Sequence, residues 1–238
     1  MHPCLIDLPN DQYAKDLLVI NAHMSCCGSD SLRQIQADDF VNFIIDAKSE
    51  GGIIDLEENT PFVLCGDLNL VGYSQQLTTL KSGEIVNTQL FGQGGGMNWS
   101  NNNLKDQVCW NTEQPLSYTW RDLYPNDDIP GSYPHGRLDF IIFSDDVMYA
   151  EKSFSIDTEL MNQQTLNTHN LFIDDSRSSD HLAITTDFSI ETLLLNQINK
   201  LEKKKISHFD ILGRDNNDKK FIIEIYNNGE VEKKYLVK

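Results

Sequence analysis

The sequence lacks an apolar run of about 18 residues, the length that a membrane-spanning helix needs. Residues 1–16 also lack the basic start, apolar middle and small-residue cleavage site of a signal peptide. We therefore expect neither a transmembrane helix nor an export leader in the 238 residues.

Basic side chains are scarce in the first 188 residues. Residues 1–188 contain 9 Lys and Arg against 28 Asp and Glu, whereas residues 189–238 contain 10 against 8, which gives a net charge of -17. Nonspecific nucleic-acid binding needs several basic side chains on the phosphates, so the composition disfavours a module that only binds DNA. A phosphate-bearing substrate would need divalent cations to neutralise it. The change in charge near residue 188 indicates two modules.

The five cysteines are odd in number, and their irregular spacing fits no zinc or thioredoxin pattern. The adjacent Cys26 and Cys27 follow His23 closely and would suit a metal, but no second Cys/His cluster completes a tetrahedral set. In an exported protein, a disulfide from one of the pair to Cys4 or Cys109 is the alternative.

Two apolar segments predict buried strands, and polar residues follow each of them. The strand over 17–20 runs into His23, which either caps the strand or serves the site. The strand over 61–66 runs into Asp67 and Asn69, which are two residues apart and point the same way on an extended backbone. Such a pair can orient a water or hold a metal, although Asp and Asn are also common turn formers. Apolar residues at helical spacing over 37–47 predict a helix between the strands, and hence a sheet covered by helix.

Two later stretches add candidate catalytic residues. Asp139 lies in an otherwise apolar strand, where a charge is costly unless it is paired, so it either orients a histidine, binds a metal or faces outward. Asp180 and His181 directly precede another predicted strand, where Asp180 would ligate a metal and His181 would act as a base. Residues 118–121 alternate like a short strand.

Three motifs now stand in order after His23: Gly66-Asp67-Leu68-Asn69, Arg137-Leu138-Asp139-Phe140 and Ser179-Asp180-His181. In this order, residues 5–188 resemble the endonuclease/exonuclease/phosphatase superfamily, which includes DNase I-like nucleases and neutral sphingomyelinases. The resemblance implies an α+β fold with a β-sandwich flanked by helices. It also implies hydrolysis of a phosphate ester with Mg²⁺, or Mn²⁺, as cofactor. Nucleic acid, phospholipid and small phosphodiesters all stay open as substrates.

The resemblance assigns a role to each motif residue. His181 resembles the general base that activates water, Asp139 the partner that holds this histidine, and His23 the donor that stabilises charge on the phosphoryl oxygens. Asp67 and Asn69 resemble the pair that orients nucleophile and phosphate, and with Asp180 they are the predicted metal ligands. In-line attack on phosphorus asks for this set, because it depends on positioning, charge neutralisation and a base for the water.

One departure from the superfamily pattern concerns the metal. Its members supply the main metal-binding Glu from strands in the first part of the domain, and only 22 residues precede His23 here. We therefore expect the C-terminal portion of such a domain, with the first sheet missing and the inner face of the second sheet uncovered. Whether the chain is an enzyme is left open. The alternative is a non-catalytic secreted or cell-surface remnant that acts as a binding module.

The tail after residue 188 has a different character. Residues 189–205 predict a short helix and a Lys-rich linker, and residues 206–238 predict β-structure with a hairpin turn at Asn227-Asn228-Gly229. This part resembles the C-terminal sorting domain of type IX secretion through Ile211-Leu212-Gly213-Arg214 and the terminal hairpin. The resemblance implies a secreted or surface location, with export machinery as a partner. An ordinary β-hairpin is the alternative.

Overall fold

The computed structural model describes residues 1–72, 74–123, 133–190, 205–209, 221–226 and 231–235. The chain divides into two compact units, one made of residues 1–10 and 15–190 and the other of residues 11–14 and 191–238. The fold is α+β, with mixed sheets and few helices. The domain boundaries at residues 188 and 205 stay predictions.

The first unit contains eight described strands: β1 (His2–Ile6), β2 (Leu17–Asn21), β3 (Phe62–Asp67), β4 (Lys105–Asp106), β5 (Trp110–Asn111), β6 (Asp139–Phe143), β7 (Met148–Ile156) and β8 (Ala183–Ile190). Its described α-helices are α1 (Asp30–Ala47), α2 (Ser74–Ser82), α3 (Thr88–Phe91) and α4 (Gln163–His169). Single 3₁₀ turns cover Thr158–Leu160 and Asp175–Ser178.

The larger sheet has the strand order β1-β2-β3-β6-β4. Strands β2 and β3 are parallel, and α1 makes the crossover that a parallel pair requires. The pairs β1/β2, β3/β6 and β4/β6 are antiparallel. Because β6 runs against β3, Asp139 at the start of β6 lies opposite Asp67 at the end of β3. The topology therefore brings the first two motifs to one edge of the sheet.

One face of this sheet is covered by α1. Side chains alternate along a strand, and Ile20 on β2 and Leu64 on β3 belong to this face. The helix contributes Phe40, Val41 and Ile44, all fully buried, at the helical spacing that the sequence predicts. This layer is the main hydrophobic core.

Loss of one methylene from this core gives a first prediction. Ile20→Val should lower the free energy of unfolding by about 1 kcal/mol, because Ile20 is fully buried between sheet and helix. Urea unfolding followed by tryptophan fluorescence measures the change. Ile53→Val is the matched control, since Ile53 is 87% exposed, and it should shift stability by less than about 0.5 kcal/mol. Equal losses in the two variants would contradict the placement of the core.

The other face packs against a second sheet of order β5-β7-β8. Val63, Ile141 and Phe143 from the larger sheet contribute to this second core, and the rings of Phe143 and Phe188 lie 4.9 Å apart. Leu17 and several neighbours on this face are only partly buried. The two sheets thus share an apolar layer that is more open than the layer under α1. The expectation of an uncovered inner face is therefore wrong, because the residues of one sheet cover part of the other.

The second unit contains strands β9 (Lys205–Phe209), β10 (Phe221–Tyr226) and β11 (Val231–Tyr235). They form an antiparallel sheet of order β11-β10-β9. The predicted hairpin turn, the Ile211-Leu212-Gly213-Arg214 motif and most of the predicted linker lie outside the described residues. A separate tail module and its sorting role therefore stay predictions. Within the described part of the chain, none of the helices has the length and apolarity needed to span a membrane.

Candidate active site

A close approach between the ends of the parallel strands β2 and β3 positions the first site residues. Gly66 has φ +128°, and a Cβ atom there would lie 2.1 Å from the carbonyl oxygen of Ala22. Only glycine fits this approach. The backbone N–H groups of Ala22 and Met24 donate to the carbonyls of Cys65 and Asp67, both at 2.9 Å. The loop after β2 is thus bonded to the end of β3, and His23 is held beside Asp67.

Asp67 and Asn69 are fixed by their own turn. The N–H of Asn69 donates to Asp67 Oδ1 at 2.9 Å, and Asn69 Nδ2 donates both to Asp67 Oδ2 and to the carbonyl of Met24 at 3.0 Å. Asn69 adopts a left-handed backbone with φ +51°, which asparagine tolerates, and it is buried. The turn-forming interpretation of the Asp-x-Asn pattern is therefore confirmed, and the same hydrogen bonds fix the orientation of the Asp67 carboxylate. Its role with water or metal stays a prediction.

The carboxylate of Asp139 is hydrogen-bonded to the imidazole of His181. His181 Nδ1 lies 2.8 Å from Asp139 Oδ2. A carboxylate only accepts, so we assign the hydrogen to Nδ1, which leaves Nε2 without a hydrogen in the neutral imidazole. Asp139 begins β6 of the larger sheet, whereas His181 precedes β8 of the sheet β5-β7-β8, and their contact joins the second and third motifs. Asp139 is therefore paired with a histidine, while its functional role stays a prediction.

Two imidazoles lie near the same oxygen of Asp67. His23 Nε2 lies 3.4 Å and His181 Nε2 lies 3.7 Å from Asp67 Oδ2. The side chain of His23 is 77% exposed and that of His181 is 31% exposed, so the site opens to solvent. The structure thus brings together His23, Asp67, Asn69, Asp139 and His181.

The surroundings shift two pKa values in this group upward. Burial raises the pKa of the Asp67 carboxyl, and the charge of Asp139 adds to this, while the hydrogen bond from Asn69 and the two imidazoles oppose it. Partial burial lowers the pKa of His181, but its hydrogen bond to Asp139 and the charges of Asp139, Asp67 and Asp180 outweigh that effect and raise it overall. The pKa of His181 is therefore higher than that of a free imidazole.

Asp180, the sixth predicted site residue, has a different partner. Its exposed carboxylate accepts a hydrogen bond from the indole Nε1 of Trp120 at 2.9 Å. This bond, more than any other interaction, lowers the pKa of Asp180. None of the ion pairs formed by the described residues includes Asp180.

The donor set does not make a magnesium site by itself. Within residues 1–72, 74–123 and 133–190, no three His, Cys, Asp or Glu side chains are placed to hold a metal ion. Both oxygens of Asp67 already accept hydrogen bonds from Asn69, and Asp180 is bonded to Trp120. The roles of Asp67, Asn69 and Asp180 as metal ligands therefore stay predictions, and so does Mg²⁺ or Mn²⁺ as cofactor. The five cysteines are free thiols, so neither a zinc set nor a disulfide forms at Cys26 and Cys27.

Sequence reasoning missed the segment that connects these motifs. Residues 118–121 do not form the predicted strand, although Trp120 makes isolated bridges to Gly136 and to His181. Thr119, which is 1% exposed, hydrogen-bonds to the chain on both sides of the site. The alternation of large and polar residues at 118–121 could have drawn attention to this segment. It belongs to a segment that contacts the site and does not form a strand.

Comparison with known proteins does not identify a family for this chain. No protein-family model matches the chain, and no curated protein matches its sequence. Among solved structures, a crystal structure of beta toxin (275-280) from Staphylococcus aureus is similar with a TM-score of 0.36 and 15% identity, over 60% of this chain and 43% of the toxin chain. The protein thus spans less than half the length of that toxin. At this level of similarity the match says nothing about activity, so support for a function comes from the site residues alone.

Proposed function

We propose that the protein is a phosphoester hydrolase of the endonuclease/exonuclease/phosphatase type, in which His181 activates the attacking water. One observation supports this most directly: the 2.8 Å hydrogen bond between His181 and Asp139, with Asp67 Oδ2 3.7 Å from the other ring nitrogen. A histidine held by one carboxylate and facing a second is the arrangement of an oriented general base.

The water would lie beside His181 Nε2 and Asp67 Oδ2, within hydrogen-bonding distance of both. Their separation of 3.7 Å is too long for a direct hydrogen bond and too short for a water directly between them, so a water to one side of the pair would donate one hydrogen to each. As the water oxygen bonds to phosphorus, Nε2 takes one proton, and Asp139 stabilises the imidazolium that forms. The ester P–O bond breaks, its electron pair leaves with the alcohol oxygen, and that oxygen takes a proton from solvent. The imidazolium then returns its proton to solvent.

The phosphate itself would meet few positive charges. Besides His181, the side chain near Asp67 that can carry a positive charge is His23. When protonated, it would donate a hydrogen bond to a phosphoryl oxygen. A divalent cation would neutralise more of the phosphate charge. It would need oxygen ligands in addition to those at this site. Because residues 1–188 are strongly acidic, small or metal-neutralised phosphodiesters suit the site better than long polyanions.

The test is hydrolysis of bis(4-nitrophenyl) phosphate by the full chain, with and without added Mg²⁺ or Mn²⁺. We expect Asp139→Asn to reduce kcat by a factor of about 10² to 10⁴, because the amide keeps the shape of the side chain but cannot stabilise the imidazolium or fix its tautomer. Release of 4-nitrophenolate is followed by absorbance.

Asp187→Asn is the matched control, since Asp187 is an exposed carboxylate on β8, outside the site. It should leave kcat within about twofold of the wild type. Absence of turnover by the wild-type protein under all metal conditions would overturn the proposal and favour the alternative, a non-catalytic binding module. Equal losses in the two Asp→Asn variants would overturn the role of Asp139.

A further inference from the structure

We propose that Thr119 is the positioning residue that holds Asp139 in place against His181. This inference rests on the proposed function for its catalytic consequence, although the contacts that support it are independent of any substrate. Thr119 is not one of the motif residues, and it lies in the irregular segment between β5 and β6. Its side chain is buried.

The side chain of Thr119 bonds to the start of β6. Its Oγ1 accepts hydrogen bonds from the backbone N–H groups of Leu138 at 3.0 Å and of Asp139 at 2.8 Å. A hydroxyl oxygen has two lone pairs, so these bonds use its full accepting capacity. The backbone of Asp139 is thereby fixed at the residue where β6 begins.

The main chain of Thr119 bonds to the segment that carries His181. The carbonyl oxygen of Thr119 accepts from the N–H of Leu182 at 2.7 Å, and the neighbouring Arg121 N–H donates to the carbonyl of Asp180 at 3.0 Å. His181 is thus held between two backbone hydrogen bonds to residues 119–121. The same residue therefore bonds Asp139 through its side chain and the His181 segment through its backbone.

This double attachment matters because the two partners come from different sheets. Asp139 belongs to the sheet β1-β2-β3-β6-β4, whereas His181 precedes β8 of the sheet β5-β7-β8. Strands β6 and β8 do not share a sheet, so ladder hydrogen bonds do not fix the distance between the two side chains. A site whose geometry must hold to within about 0.5 Å needs another constraint. Thr119 supplies it.

The decisive substitution is Thr119→Val, which keeps the shape of the side chain and the backbone bond to Leu182 but removes both bonds to β6. We expect kcat on bis(4-nitrophenyl) phosphate to fall roughly 10- to 100-fold with little change in KM, because the base loses its alignment and not its substrate. Thr119→Ser keeps the acceptor oxygen and should retain most of the activity.

A spectroscopic measurement tests the same geometry without any turnover. The Nδ1 hydrogen of His181, bonded to a carboxylate, should give a strongly downfield proton resonance, which Asp139→Asn identifies by removing it. This resonance should move upfield or vanish in Thr119→Val and persist in Thr119→Ser. The measurement separates the two proposals. If the wild type is inactive but the variants show these resonance changes, the hydrolase function is overturned and the positioning role is supported.

A double mutant and a control complete the design. If Thr119 acts through Asp139, Thr119→Val should change kcat by less than about twofold in the Asp139→Asn background. Thr78→Val removes a hydroxyl from the exposed face of α2 and should leave the resonance and kcat unchanged. If Thr119→Val does not fold, as judged by circular dichroism, Thr119→Ala replaces it, since the smaller side chain leaves room for a water at the two amides.

Three results would overturn the positioning role. The first is a Thr119→Val protein with the wild-type resonance and wild-type kcat. The second is a Thr119→Ser protein as impaired as the valine variant, which would show that keeping the acceptor oxygen does not preserve the alignment of Asp139. The third is an undiminished effect of Thr119→Val in the Asp139→Asn background.

Discussion

His181→Gln should reduce hydrolysis of bis(4-nitrophenyl) phosphate by a factor of about 10² to 10⁴, the contribution that a positioned general base typically makes. Glutamine can still donate a hydrogen bond to Asp139, so the local structure should persist, but it cannot accept a proton from water at neutral pH. The fall should appear in kcat more than in KM, because the proton transfer occurs only on the way to the transition state.

The pH dependence of the wild type tests the same assignment. Only neutral His181 can act as base, and the hydrogen bond and charges of Asp139, together with Asp67 and Asp180, outweigh partial burial and place the pKa of His181 above the usual 6.5. Activity should therefore rise with pH through a midpoint above 6.5. His181→Gln should abolish this acid limb.

A matched histidine variant shows whether the effect is local. His169→Gln changes an exposed histidine at the end of α4, and we expect its rate and its pH profile to equal those of the wild type. A His181→Gln protein that keeps the acid limb, or a midpoint well below 6.5 in the wild type, would contradict the role of His181 as the base.

The sequence was sufficient to predict several central elements of the first unit. The apolar runs ending at Asp67 and starting at Asp139 became β3 and β6, and the helical spacing over 37–47 became the buried face of α1. Local patterns of this kind reflect which side chains can be buried on a strand or a helix. They also predicted that an unpaired Asp139 would be too costly, and the structure pairs it with His181.

Side-chain partners across long sequence distances could not be predicted in this way. Nothing near Asp180 indicates that its carboxylate bonds to Trp120, 60 residues earlier, and nothing near Asp139 indicates its dependence on Thr119. Both contacts arise because the segment 118–121 lies between two sheets. Its alternating pattern resembles a strand, but its backbone hydrogen bonds go to loops on either side of the site. The alternation of side chains along a segment indicates which of them are buried, but it does not indicate which loops the segment will contact.

The loss of a buried charge next to this segment should have the largest effect on stability. Asp157 and Arg121 have side chains only 1% and 5% exposed, and Arg121 Nη1 lies 2.6 Å from Asp157 Oδ1. The hydroxyl of Tyr118 donates to the other oxygen of Asp157 at 2.5 Å, and burial together with this bond raises the pKa of Tyr118 to about 12. Asp157→Ala should lower the free energy of unfolding by about 3 kcal/mol, because it leaves a buried guanidinium and a partly buried hydroxyl without this partner. Urea unfolding followed by tryptophan fluorescence measures the loss.

Glu159 provides the comparison that separates burial from charge. It also pairs with Arg121 Nη1, at 2.7 Å, but its side chain is 35% exposed, so solvent screens the pair. Glu159→Gln should therefore cost less than about 1 kcal/mol. A loss of under about 1 kcal/mol in Asp157→Ala would mean that Glu159 alone can compensate Arg121. Since Tyr118 and Arg121 flank Thr119 and Trp120, the folded fraction of Asp157→Ala should also hydrolyse bis(4-nitrophenyl) phosphate more slowly, because the ion pair that stabilises the unit also anchors the segment that aligns its base.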